Sequence, residues 1–251
     1  ILQSSVNVPP GGSGGQLSIE TERLLVADGG QIATGTVSFS QPAGDLTIRA
    51  SESIELQGTS EFGDRSGLFA NAVSARRPDT GEVAEAFSEG GSITVETPNL
   101  IVKNGATINV SNNPSNPDTP ISAPGNGPAG NLNIIANQIQ LLDQSILTAD
   151  TVDGDRANIN LASDLIVLRD GSQITTNATG SATGGNLTID TLTLTAFNNS
   201  DITANALENQ GCNIQIRAQG LFCIQPREAL TPFNDITASS RFGLDVTIVI
   251  E

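Results

Sequence analysis

Apolar and polar residues alternate in a short phrase that returns along the chain. A glycine, one polar residue, an aliphatic residue, one polar residue and a second aliphatic residue stand at Gly15–Ile19, Gly44–Ile48, Gly91–Val95, Gly130–Ile134 and Gly185–Ile189. Weaker copies stand at Ala157–Leu161, Cys212–Ile216 and Leu244–Ile248, so the first apolar residues are Leu17, Leu46, Ile93, Leu132, Ile159, Leu187, Ile214 and Val246. The closest copies lie 27 residues apart, as from Leu132 to Ile159, and the wider spacings read as the same unit with surface insertions. Within each unit a second apolar position follows at Leu24, Leu100, Ile139, Ile166, Leu194 or Leu221, and a third at Ile32, Ile108, Ile146, Ile174 or Ile202. All three runs are short, β-branched or leucine-rich, and separated by Gly, Asn, Asp and Ser, which predicts three strands per unit joined by turns.

Period and composition select the architecture. A propeller blade needs roughly 40 residues and aromatic landmarks, whereas the 251-residue chain has no Trp, no Tyr and 8 Phe. Helical repeats fail because no unit carries a 3.6-residue apolar period. A leucine-rich repeat has one strand per unit and a fixed Asn after its leucines. Three strands in about 27 residues describe one turn of a parallel β-helix: one all-β domain over residues 1–251, with about seven to eight coils and insertions at about 58–89 and 111–129. One coil buries little alone, and its apolar face becomes core when neighbouring coils cover it at a rise of roughly 4.8 Å.

A turn register accompanies the strands. Asp28, Asn104, Asp143, Asp170 and Asn198 stand eleven residues past their anchors, and three of them precede glycine. Asp and Asn accept bonds from their own turn backbone, and glycine takes positive φ freely. Turn chemistry is the reading, since a metal ladder would need a second acidic column.

Charge and reactive side chains narrow the function. With 11 Lys and Arg against 27 Asp and Glu, the formal charge is −16, which argues against nucleic acid or an anionic membrane as partner. The chain has no His, removing imidazole ligands and general bases. No run approaches 18 apolar residues. Cys212 and Cys223 lie eleven residues apart in the last complete coil. They are candidates for a disulfide pinning the coil, with a pair of buried free thiols as the alternative. Three acids, Asp150, Asp153 and Asp155, form a candidate calcium loop, although their spacing matches no EF-hand and solvated loop acids are the simpler reading. No cofactor is expected.

Insertions on a rigid solenoid are favoured recognition sites. The first carries Phe62, Phe69 and Phe87 with Arg65, Arg76 and Arg77. These are candidate ligand-binding residues, or alternatively a flap whose phenylalanines cover a sheet. The second is rich in Pro, Asn and Ser and has no apolar surface with which to fold. An enzyme on this scaffold would need paired carboxylates about 5–9.5 Å apart on neighbouring rungs. Glu20, Asp45, Glu52, Glu55 and Glu96 are the candidates, scattered among Ser, Thr and Asn. Thr175, Thr176, Thr203 and Thr237 hint at a flat threonine face, interrupted by Asn109 and Ala33.

The Gly-Asn-Leu-x-Ile openings at 130 and 185, the opening at 44, the Ser66–Ala70 segment and endings such as Gly171–Ile174 resemble the filamentous-haemagglutinin-type repeat proteins of cyanobacteria. The likeness runs from about Gly15 to Ile248 and lacks the family's secretion-domain signature. The resemblance implies a right-handed parallel β-helix in the C-terminal region of a two-partner secretion exoprotein, exported through an outer-membrane transporter. It implies an adhesin or fibre segment, secreted or held at the cell surface, binding a glycan or protein receptor without catalysis. The alternative is a polysaccharide-active glycosidase or lyase. Unpaired strand edges at the ends of such a rod also predict end-to-end self-association.

Overall fold

The computed structural model describes residues 2–3, 14–37, 42–73, 89–112, 127–151, 157–178, 184–206, 213–240 and 247–251. These form an all-β, parallel, repetitive architecture dominated by two sheets. The long sheet stacks Leu17–Ala27, Leu46–Gln57, Ile93–Lys103, Leu132–Leu141, Ile159–Arg169, Asn186–Phe197, Asn213–Phe222 and Thr247–Ile250, each parallel to the next in chain order. The short sheet stacks Leu2–Gln3, Gln31–Ala33, Gly67–Phe69, Thr107–Asn109, Ile146–Thr148, Gln173–Thr175, Asp201–Thr203 and Asp235–Thr237, with Gln225–Pro226 outermost. Parallel neighbours need a crossover, and each long strand reaches its successor by way of a short-sheet strand.

Register carries the repeat into three dimensions. Leu132 pairs with Ile93 on one side and Ile159 on the other, and Ile134 with Val95 and Leu161. These side chains are buried while Asn133 between them is only half-buried, the alternation expected of a strand with one face on a core. The core is one ladder of Ile, Leu, Val and Ala running along the stack.

The first and second apolar runs of each unit fall within one long strand rather than two. Pairing lapses at a single residue in its middle, passing from Ala136↔Ser163 directly to Gln138↔Leu165, and likewise from Thr191↔Ala218 to Thr193↔Gly220. A hydroxyl marks this bend: Thr21, Ser163 and Thr191 each donate to the carbonyl two residues ahead. A third, discontinuous ladder joins Thr36–Val37 to Ala72–Val73 and runs through the bridges Asn112↔Thr151↔Ala178↔Ala206↔Ser240.

Four sequence expectations shift. The third apolar run of the 132 coil is centred on Leu147, fully buried and stacked on Ile108 and Ile174, so Ile146 is a flanking position. The last coil registers Ile248 on Ile214, so Ile248 holds the column position expected of Val246, which lies outside the described residues. A register shift in Leu46–Gln57 brings Ile54 into the Leu24 and Leu100 column, which its spacing had concealed. The threonine column exists, but Thr175, Thr203 and Thr237 are buried and present no exposed face.

Close backbone approach explains the recurrent glycine. A Cβ on Gly91 would lie 2.0 Å from the Gly44 carbonyl oxygen, and one on Gly130 would lie 1.9 Å from that of Gly91. Neither has a left-handed φ; the rail of stacked carbonyls, not the dihedral, excludes the side chain. The Asp and Asn turn column does use φ: Asp28, Asn104, Asp143, Asp170 and Asn198 lie between 52° and 57°.

Candidate functional site

The long strands bend about one column of small residues, among them Thr21, Ala50, Thr97, Ala136, Ser163 and Thr191. Small side chains there leave a hollow between the outward positions on either side. The outward column before the bend reads Glu20–Arg49–Glu96 over the first three coils and Asp190–Arg217–Glu251 over the last three, with Ile135 and Ala162 between them. Two open hollows result, of about 620 Å3 beside Arg49 and about 590 Å3 beside Arg217. Ala136, which lines the first, pairs with Ser163, which lines the second, so the two hollows adjoin on neighbouring rungs and are taken together as a groove along the stack.

Each arginine is held between acids on neighbouring rungs. Arg49 donates from Nε and Nη2 to the two Glu96 oxygens at 3.0 and 3.1 Å. Arg217 donates to Asp190 Oδ1 and to Glu251 Oε2, both at 3.3 Å. The Glu96 hydrogen bonds raise the Arg49 pKa, with its charge and that of Glu20 adding to the effect. Asp190 does the same for Arg217, with Glu251 second.

The five acids considered for catalysis are dispersed. Glu20 and Glu96 share the groove column two rungs apart, roughly 9–10 Å at ladder spacing, with Arg49 between them. Glu52 pairs with Arg23, and Glu55 with Lys103 at 2.6 Å. Asp45 accepts the Ser92 backbone N–H at 2.9 Å. Glu96, Glu52, Glu55 and Asp45 are thus each engaged by a cationic side chain or a backbone N–H of a neighbouring strand or coil.

The described part of the first insertion is a tight, well-bonded turn followed by a return to the ladder. Ser60 Oγ accepts the backbone N–H groups of Phe62 and Asp64. Thr59 and Arg65 close the turn, and Arg65 reaches the carbonyls of Gly105 and Gln144 in the next two coils. Phe62 stands at its tip, 85% exposed. Phe69 is separate from it, half-buried in the short sheet beside Ala33 and Asn109. Arg76, Arg77 and Phe87 lie outside the described residues.

Asp150 is described, whereas Asp153 and Asp155 are not. It sits in a corner ladder, where its Oδ1 accepts the Asn177 N–H at 2.7 Å and Asn177 Oδ1 accepts that of Asn205 at 2.9 Å. Burial pushes its carboxyl above the usual aspartate range, and the Asn177 N–H and the Thr175 and Thr148 hydroxyls pull it partly back. Among the described residues no group of three or more His, Cys, Asp or Glu is placed to hold a metal. Cys223 is an exposed free thiol with φ of 60°, and its expected partner Cys212 lies outside the described residues.

One organised feature escaped the sequence reading: the loop after Phe222. Asp235, fully buried, accepts the Thr231 N–H and hydroxyl and faces Arg227 Nε at 2.5 Å, an ion pair without the angle of a hydrogen bond. The Arg227 guanidinium lies 5.6 Å from the centre of the exposed Phe233 ring. Asn234 ties the loop back, donating to the carbonyls of Ala196 and Cys223. Thr231 and Asp235 four residues apart were the available signal.

Compared with known protein families, curated proteins and solved structures, the chain matches none. Among the described residues no helix is long and apolar enough to cross a membrane.

Proposed function

We propose that this chain is a non-catalytic, adhesive and spacing segment of a secreted or cell-surface exoprotein, a right-handed parallel β-helix with three strands per coil. The pairing lapse at each bend divides a long strand into two faces, and the third ladder at Thr36–Val37 and onward supplies the matching edge. Its parent resembles the two-partner exoproteins of cyanobacteria, with an outer-membrane transporter as its export partner. The observation that carries the non-catalytic reading is the pairing of outward acids across rungs, above all Arg49 standing between Glu20 and Glu96. An inverting pair needs a water in that space, and a retaining pair must lie closer.

Binding of a glycan or protein receptor is assigned first to the 59–65 turn, where Phe62 offers a rigidly presented aromatic. A glycan array probed with the intact chain, with Phe62→Ala and with the double variant Glu61→Ala, Phe62→Ala tests this; both positions are exposed at the tip, clear of the ladder strand Gly67–Phe69. Reduced binding by both variants supports it, and unchanged binding by both removes the turn as the recognition site. Release of reducing ends from any polysaccharide, lost in Glu20→Gln or Glu96→Gln, would replace it with the enzyme reading. Leu17–Ala27 and Thr247–Ile250 are the outer strands of the long sheet, and stacked copies joined there would extend the ladder. Concentration-dependent scattering is the corresponding measurement.

A further inference from the structure

We propose that the bend groove is a second binding surface, distinct from the 59–65 turn, and that it takes an extended basic peptide segment of a partner protein. The inference rests on the non-catalytic binding role proposed above and assigns that role a new surface and a ligand class.

Charge selects the sign of the occupant. The two hollows are lined by five carboxylates and two guanidiniums. Both guanidiniums are already engaged by the acids beside them, Arg49 by Glu96 and Arg217 by Asp190 and Glu251. The surplus is therefore negative and carried by Glu20, Asp164 and the acid shared at Arg217. An anionic polymer meets no free cation here and faces a chain of charge −16. A row of lysines or arginines meets carboxylates at both ends.

Side-chain chemistry selects a peptide over a sugar. Among the described residues no aromatic lines either hollow, so a sugar ring finds no described face on which to stack. Exposed aliphatic groups are present instead: Ile135 is 58% and Leu192 46% exposed, and Pro98 and Ala162 lie nearby. Exposed aliphatics beside carboxylates suit the apolar and cationic side chains of a peptide.

Length and order complete the description. From the rung of Glu20 to that of Glu251 the groove crosses eight coils, roughly 34 Å at ladder spacing, which matches about ten residues of extended chain. Its charge order is acidic, aliphatic at Ile135, then acidic again. The complementary segment is cationic at each end with an aliphatic middle. The groove crosses the strand faces and meets the outer strands of the sheet only at its two ends, so recognition is through side chains and is sensitive to salt.

The test is fluorescence anisotropy of the full chain with a labelled ten-residue peptide having lysines at both ends and leucine and valine between. A groove triple, Glu20→Gln, Asp164→Asn and Asp190→Asn, is compared with a distant triple of equal charge change, Glu61→Gln, Asp64→Asn and Glu228→Gln. All six positions are exposed, and equal thermal midpoints identify folded variants. The groove triple is expected to weaken binding about tenfold, and Ile135→Ser to weaken it at unchanged charge, while the distant triple changes it less than about twofold. Equal loss in both triples identifies general attraction to an acidic protein and overturns the proposal. So does absence of peptide binding at low salt, or displacement of the peptide by a neutral oligosaccharide. Glycan-array binding that depends on Phe62 and survives the groove triple keeps the turn reading whatever the peptide result.

Discussion

The backbone N–H of Asn177 donates to Oδ1 of Asp150 across one coil, at 2.7 Å, and Asn177 serves Asn205 in the same way. One position of the corner ladder is therefore a half-buried carboxylate where its two successors are amides. Burial raises the Asp150 pKa above its model-compound value of 3.8. Its contribution to stability is fully present below that value and is lost as pH rises through the raised folded value. Asp201, also raised by burial, has the same sign. Asp150→Asn keeps an acceptor for Asn177 and removes the charge. The variant is expected to be at least as stable as the parent at pH 7 and to show a shallower pH dependence between pH 4 and 7. Urea unfolding across that range measures both.

Gly130 and Gly63 separate two reasons for a glycine. A methyl group on Gly130 would meet the Gly91 carbonyl at 1.9 Å, whereas one on Gly63 meets nothing within 4 Å and violates only its φ of +91°. Gly130→Ala should cost roughly 3 kcal/mol by forcing two coils apart. Gly63→Ala should cost about 1–2 kcal/mol from backbone conformation alone. Denaturant midpoints of the two variants distinguish them, and equal losses would show that the stacked carbonyl is not the constraint.

The repeat was legible because strand alternation and turn chemistry are local. Leu132 and Ile134 announce an inward face by themselves, and Asp170 before Gly171 announces a turn. Two kinds of information were hidden. A one-residue irregularity displaces a column without changing composition, as at Ile54, whereas at Leu147 the regular step of 15 residues from Leu132, shared by Ile93 to Ile108 and Ile159 to Ile174, was the signal that separates it from the adjacent Ile146. The groove was hidden for another reason. Glu20, Arg49 and Glu96 are separated by 29 and 47 residues in sequence and become neighbours only through register. The individual acids were visible, but their shared arginine was not.

Leu147 and Ile146 test the corrected register directly. Leu147 is fully buried on Ile108 and Ile174, and Ile146 flanks it. Leu147→Ala is expected to destabilise by roughly 2–5 kcal/mol through lost burial and a cavity. Ile146→Ala should cost less than about 1.5 kcal/mol, as a half-buried side chain surrenders less apolar contact. Reversal of that order in equilibrium unfolding would restore Ile146 to the core.

Asp235 holds the 223–234 loop against the last coils through three partners at once: the Thr231 N–H, the Thr231 hydroxyl and Arg227. Asp235→Ala leaves buried donors without an acceptor, so the expected loss is roughly 2–4 kcal/mol. Solenoid coils contact chiefly their neighbours, and that loss falls mainly on the terminal coils rather than the whole rod. Limited trypsin digestion should accordingly cut after Arg227 sooner in Asp235→Ala than in the parent, with later cleavage after Arg49 and Arg65. Asp235→Asn retains an acceptor for Thr231 while losing the charge opposite Arg227, placing it between the two. Simultaneous acceleration at all three arginines would mean that Asp235 supports the entire stack and that the coils do not unfold in sequence from this end.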